Sequence, residues 1–353
     1  MSIDVTVLCV TRHGHATTAV TVESLLDSTR IPFHLVYADV ASPPSVERYL
    51  TRLAASRDRV THLRFETFLH RQAARMKALP QVQTRFVVLL DNNVICEPGW
   101  LEKLLETREK TGASVVSPLI VTRGGRIHFS AGLIERKRRL RRFGRVTLGR
   151  THGQPDAPTR SLLKDARPRT IDIDFAESHC CLVSTDDLRL PGVLEEGMAN
   201  MHTTCYATYK LKKTFGKRLV LEPAAVVALV PIGFGYDLPW IYGCYMRPDL
   251  IAGSYRLLEG LIGRGPVTDL KNGFWWSGMH IKYLLLTMLE GDRFVRDDYL
   301  SLDEIPESLT GYDVPLPPDA DEVIRGKILP QVEQRYPDLV APLTRWLSGA
   351  VPV

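Results

Sequence analysis

Apolar runs that stop at polar clusters alternate with helical periodicity through the first third of the chain. Val5–Val10 is a β-branched run that ends in Thr11-Arg-His-Gly-His15, the pattern of a strand closing on a polar loop. Thr17–Asp27 then reads as a helix with Val20, Leu25 and Leu26 on one side. Phe33–Ala38 predicts a second strand with Asp39 at its carboxyl end, and a helix over Val46–Leu53 starts behind Ser42-Pro-Pro-Ser45. Val60–Phe65 is a third strand and Thr67–Leu79 an alanine- and leucine-bearing helix. Phe86–Leu90, the most hydrophobic run, predicts a central strand ending in Asp91-Asn92-Asn93. A helix over Trp100–Lys110 and a strand over Ser114–Ser117 follow.

Strand and helix alternating with short connections predict an α/β fold, a mostly parallel central sheet with helices on both faces. Ligands of such sheets bind at the carboxyl ends of the strands. Three polar clusters fall there: Thr11–His15, Asp39–Ser42 and Asp91–Asn93.

The pattern breaks over Gly124–Asp165, which contains the cationic run Arg136-Lys-Arg-Arg-Leu-Arg-Arg-Phe-Gly-Arg145. Such a run suits a diphosphate, an anionic acceptor or a membrane surface, and equally a solvated loop. Ile171–Phe175, Cys180–Ser184, Leu219–Leu221 and Val226–Val230 carry further strand signal. After Pro231 the chain turns aromatic and amphipathic, with Trp240, Trp275 and Trp276 suited either to sugar stacking or to core packing. The expected division is residues 1–230 as the catalytic domain and 231–353 as a mainly helical region, serving the acceptor side or a homodimer.

Composition narrows the classes. The 353 residues are 44% hydrophobic and 24% charged, which excludes general disorder. A net charge of +5 predicts no nucleic-acid partner. The longest apolar runs fall far below the roughly 18 residues of a membrane span, and the start shows no signal-peptide pattern. The six cysteines form neither a C-x-x-C pair nor a zinc spacing, so the expectation is a reduced, cytoplasmic protein.

In their order, these segments resemble the family-2 glycosyltransferases, which have the GT-A fold. The resemblance runs over about residues 3–230. It rests on Val5–Thr11, Val22–Leu26, His34–Ser42 with Asp39, Gln72-Ala-Ala-Arg75, Phe86–Asn93 with Glu97–Leu101, and Phe215–Pro223. It implies inverting transfer of a sugar from a nucleotide-diphosphate donor of UDP, dTDP or GDP type. The acceptor would be a small molecule, a lipid-linked species or a glycan. Thr11, Asp39, Arg75, Asp91, Asn92 and His179 would bind the donor. Asp39 suits the N–H of a nucleobase, and Arg75 either anchors Asp39 or pairs with diphosphate.

Three departures stand out against the family pattern. The third position of the acidic motif is Asn93, so a divalent cation (Mn2+ or Mg2+) held by Asn93 with Asp91 would lack the usual charge. Leu229, Val230 and Pro231 stand where a metal-ligating histidine often follows the distal strand. No acid occupies the usual base position, which reads Asn200-Met-His-Thr-Thr-Cys-Tyr206. His202, Glu195 and Glu196 remain as catalytic candidates. The rival readings are a degenerate protein that binds nucleotide or a partner without transfer, and a sugar-phosphate nucleotidyltransferase. The latter is disfavoured because Thr11–His15 is not a triphosphate loop.

Overall fold

The computed structural model describes residues 4–11, 15–138, 146–199, 202–230, 242–243, 246–263, 270–286, 289–290, 293–294 and 318–348. The side chains of 135–151 and several in the 270–286 helix lie outside the described set, as do Trp240 and most of the cationic run.

The sheet follows the apolar runs. Strands β1 (Val5–Val10), β2 (His34–Val40), β3 (Val60–Phe65) and β4 (Phe86–Asp91) pair in parallel in the order β4-β1-β2-β3. β4 and β1 are buried at every position, as their unbroken hydrophobicity requires of strands covered on both faces. The short β5 (Val94–Cys96) precedes β6 (Val115–Thr122), β7 (Ile127–Phe129) and the β8–β9 hairpin (Leu133–Arg138, Val146–Thr151). β10 (Ile171–Asp172), β11 (Cys180–Ser184) and β12 (Leu219–Leu229) complete the main sheet in the order β10-β12-β6-β11-β4-β1-β2-β3.

The expected mostly parallel sheet is present, with β11 running antiparallel between β4 and β6. One sequence expectation needs correction. The two runs Leu219–Leu221 and Val226–Val230 are one strand, β12, parallel to β6, whose register shifts between Glu222 and Val226. Pro223 has no N–H for the ladder, and the bulge absorbs that loss.

Helices α1 (Thr18–Ser28), α2 (Pro44–Ser56), α3 (Arg71–Ala78) and α4 (Trp100–Thr111) follow the first four long strands. α3 starts four residues later than expected because His70 caps it, its Nδ1 accepting the Ala73 N–H at 3.2 Å. A short α5 (Thr185–Leu188) leads toward α6 (Thr203–Phe215), which ends where Gly216 adopts φ 64° and its N–H meets Lys212 O at 3.1 Å.

The C-terminal region is helical, with α7 (Pro248–Ile262), α8 (Leu270–Leu286), α9 (Ala320–Val323), α10 (Leu329–Arg335) and α11 (Pro337–Leu347). Met246, Ile281, Ile324, Val332 and Leu343 join the same hydrophobic core as the central strands. Trp275 is 57% exposed, so it packs in no core. No helix among the described residues is long and apolar enough to cross a membrane.

Candidate active site at the strand ends

β1 sits between the two strands that carry the carboxylates. Val10 pairs with Asp91 on one side and with Ala38, next to Asp39, on the other. Two interstrand steps, about 10 Å, therefore separate the acidic strand ends. The one-residue offset turns them to opposite faces. Asp39 lies on the face of Tyr37, whose hydroxyl is 2.8 Å from Thr18 Oγ1 on α1. Asp91 lies on the α3 face. The two share an edge of the sheet, and a ligand touching both must lie across the end of β1.

Asp39 is fully buried and closely held. Its Oδ2 accepts from Ser42 Oγ at 2.9 Å and Arg64 Nη1 at 2.9 Å, and lies 2.8 Å from His62 Nε2. Its Oδ1 accepts the Ser42 N–H at 3.1 Å. Burial pushes this carboxyl upward, but the bonds from His62, Ser42 and Arg64 outweigh it and hold the pKa at about 2. His62 and Arg64 escaped the sequence reading. They alternate on β3, and Arg64 stands in register with Asp39.

His15, at the start of the α1 turn, shows the opposite balance. Burial pushes its imidazole from 6.5 down to about 4, against the pull of Asp39. Above pH 6.5 the ring is neutral in folded and unfolded chains alike. Between 6.5 and 4 only the unfolded chain takes up the proton, so stability falls by about 1.4 kcal/mol per pH unit, about 3 kcal/mol in all. Asp39 acts lower, contributing about 2 kcal/mol that is present above its unfolded pKa near 3.8 and lost as the pH falls toward 2. In urea denaturation between pH 7 and pH 4, His15→Gln is expected to flatten this dependence. An unchanged slope would refute the assignment to His15.

Asp91 is the hub of a second network. Arg71 Nη1 donates to its Oδ2 at 2.9 Å and Arg75 Nη2 to its Oδ1 at 3.3 Å. The same guanidiniums reach α6, Arg71 Nη2 to Thr203 Oγ1 at 2.9 Å and Arg75 Nη1 to Thr204 Oγ1 at 2.8 Å. Arg75 thus anchors Asp91 and α6, not Asp39 as the sequence allowed. A helix of eight residues that buries two arginines does so because one carboxylate and the hydroxyls of Ser178, Thr203 and Thr204 receive them. The i, i+4 spacing of Arg71 and Arg75 was the visible signal for the missed Arg71.

The remaining candidates divide. Thr11 is buried at the end of β1, and Asn92 staples α1, with Nδ2 donating to Thr18 Oγ1 at 3.1 Å and its carbonyl accepting from Thr17 and Thr21 at 2.8 Å. His179 is buried, with Nδ1 3.5 Å from Asp91 Oδ2 and Nε2 3.4 Å from Glu177 Oε2. His202 precedes Thr203 in the left-handed region, φ 72°, with its ring edge-on to Tyr255 at 6.4 Å. Glu195 turns to Lys210 at 4.0 Å, two turns along α6 from His202. Glu196 is exposed and close to His70, whose imidazole burial holds below its ordinary value against the pull of Glu196.

The motif's own metal ligands do not fit a hard dication. Asn93 Oδ1 is buried without a hydrogen-bond partner, and it is neutral. Both oxygens of Asp91 already hold a guanidinium, and two positive charges at that range oppose a cation. These contacts weigh against the expected Asp91–Asn93 ion site. Burial also raises the Cys9, Cys96, Cys180 and Cys181 thiols, so none of these is a thiolate nucleophile.

Residues 6–165, which include both carboxylate strand ends, match the model of glycosyl transferase family 2. The chain carries a family-2 glycosyltransferase domain. Among solved structures it is similar to GalNAc-T7 crystallised with UDP, GalNAc and Mn2+. That likeness has 15% identity, a TM-score of 0.50 and coverage of 73% of this chain and 48% of that one. This chain therefore spans about half the length of that protein. It also aligns with S. aureus TarS 1-349, with 12% identity, a TM-score of 0.46 and coverage of 97% and 83%. No curated protein matches. The chain adopts the GT-A fold, with the mixed sheet, surrounding helices and C-terminal helical region described above.

Proposed function

We propose that this glycosyltransferase moves a sugar from a nucleotide-diphosphate donor to an acceptor hydroxyl with inversion, and that the reaction depends little on an ion at Asp91–Asn93. The observation that carries the reading is the pair of carboxylates at the ends of the two strands that flank β1, inside the family-matched segment. Asp39 Oδ1 accepts the Ser42 N–H at 3.1 Å, and its second lone pair can accept a nucleobase N–H. Arg71 and Arg75 against Asp91 leave one net positive charge beside the strand end. That charge offsets the diphosphate as the anomeric C–O bond breaks. His202, at the start of α6 next to the hydroxyls that hold both arginines, takes the acceptor proton. The acceptor hydroxyl oxygen forms the new bond to the anomeric carbon, and the nucleoside diphosphate leaves with the electron pair.

A thermal-shift series over UDP-, dTDP- and GDP-sugars, each with and without Mn2+, tests this. One base class is expected to raise the melting temperature, by the equivalent of about 2.7 kcal/mol at a hundredfold excess over Kd. Transfer or donor hydrolysis should follow with that donor. The absence of any donor-specific shift would sink the reading. A second reading, nucleotide binding without chemistry, draws support from Thr203-Thr204 standing where an acid is usual and from the neutralised Asp91. Donor binding with neither transfer nor hydrolysis would decide for it.

A further inference from the structure

We propose that His128, Glu177 and His179 form a binding site for a divalent transition-metal ion of the zinc type. This goes beyond the transfer reading and stands whether or not the chain transfers sugar. One ring nitrogen from each histidine and one carboxylate oxygen of Glu177 lie within 4.8 Å of one another. His179 Nε2 and Glu177 Oε2 are 3.4 Å apart. Two ligands bound tetrahedrally at about 2.0–2.1 Å from one ion are separated by about 3.4 Å. The histidine rings stand edge to face with centroids 5.2 Å apart.

The surroundings are arranged around this cluster. Asp91 Oδ2 lies 3.5 Å from His179 Nδ1, on the ring edge away from Glu177, which is the carboxylate–histidine–metal order that fixes a ligand's tautomer. The His179 N–H donates to Glu177 Oε2 at 3.3 Å and steadies the carboxylate. Gly132 lets the chain before Glu177 close on β7 and β8. Its carbonyl accepts the Asp174 N–H at 2.6 Å, and a Cβ there would come within 1.9 Å of Phe175 O. His179 and Glu177 are buried, whereas His128 on β7 is only partly so and provides the side from which an ion enters.

Two imidazoles and a carboxylate suit zinc and its first-row neighbours better than Mg2+ or Ca2+, which favour all-oxygen sites. Three protein ligands leave a fourth position open. An ion there would couple to Asp91 through His179, in contrast to the Asp91–Asn93 pair, where guanidiniums stand in the way.

The test titrates tag-free, chelator-stripped full-length protein with Zn2+ by calorimetry and with Co2+ by visible absorption. One equivalent of Zn2+ is expected, with the ligand-field bands of a tetrahedral nitrogen–oxygen site for Co2+. His128→Ala and the near-isosteric Glu177→Gln should each weaken binding by at least about 10-fold while far-UV circular dichroism stays unchanged. Absence of a one-to-one class, or wild-type affinity in a folded His128→Ala or Glu177→Gln protein, would overturn the site. The donor thermal-shift series keeps the two proposals separable. Zinc binding without any donor response retains this site and removes the transferase reading, and donor response without zinc binding does the reverse.

Discussion

Asp91→Asn is expected to cost about 3–5 kcal/mol of folding stability, the largest effect of any single change at this site. The substitution keeps the shape, so no cavity contributes and the loss is electrostatic. Asp91 is fully buried, Arg75 fully so and Arg71 nearly so. Removing the one carboxylate between two guanidiniums leaves two desolvated cations facing each other across a neutral amide. The thermodynamic signature is specific. Arg75→Met, which replaces a charge with an apolar chain of similar length, should recover part of the loss when combined with Asp91→Asn, because it removes one orphaned cation. Arg75→Lys alone should not substitute for the wild type, since a single ammonium cannot span Asp91 Oδ1 and Thr204 Oγ1 as the guanidinium fork does. Equilibrium denaturation of the four proteins measures this. A cost for Asp91→Asn below about 1 kcal/mol would mean that water reaches the guanidiniums and that the network is not a buried one.

The same residues show what the sequence exposes and what it conceals. β3 and β11 have the bounds their hydrophobic runs predict, Val60–Phe65 and Cys180–Ser184, and β4 is central as its uniform hydrophobicity requires. Strand direction is another matter. Side-chain alternation is identical in parallel and antiparallel strands, so nothing within Cys180–Ser184 announced that β11 runs against its neighbours. Asp39 and Asp91 were legible because a carboxylate ending an apolar run has a local pattern. Their partners were not. Arg64 meets Asp39 across 25 positions of sequence, and Arg71 meets Thr203 across 132. Such pairs exist only once the sheet has set the register. The cluster of His128, Glu177 and His179 was hidden for the same reason, since β7 and the segment before β11 lie about 50 positions apart and meet only in the folded sheet. His179, which the resemblance assigns to the donor, lies beside two carboxylates and a second imidazole.

His202→Gly is expected to separate catalysis from stability. His202 stands at φ 72°, a conformation that a side chain with a Cβ adopts at a cost and glycine adopts freely. Relief of that strain offsets the lost edge contact with Tyr255, so folding stability should stay within about 1 kcal/mol of wild type. The start of α6 is kept, because the His202 carbonyl that accepts the Tyr206 N–H at 2.8 Å belongs to the backbone. Thr203 and Thr204 therefore continue to hold the two arginines. Transfer, on the proposed role, should fall by about 10²–10⁴-fold at neutral pH, the range for losing a general base, with the donor thermal shift unchanged. His202→Ala is the informative contrast: it loses the imidazole without relieving the backbone, so it should match glycine in rate and fall below it in stability. Left-handed residues that glycine would serve better are kept where their side chain has work to do. A glycine variant that transfers sugar at the wild-type rate would show that this imidazole takes no proton. The acceptor's proton would then have to pass to another group, for which Glu195, turned to Lys210, and exposed Glu196, close to His70 at the head of α3, are the remaining candidates.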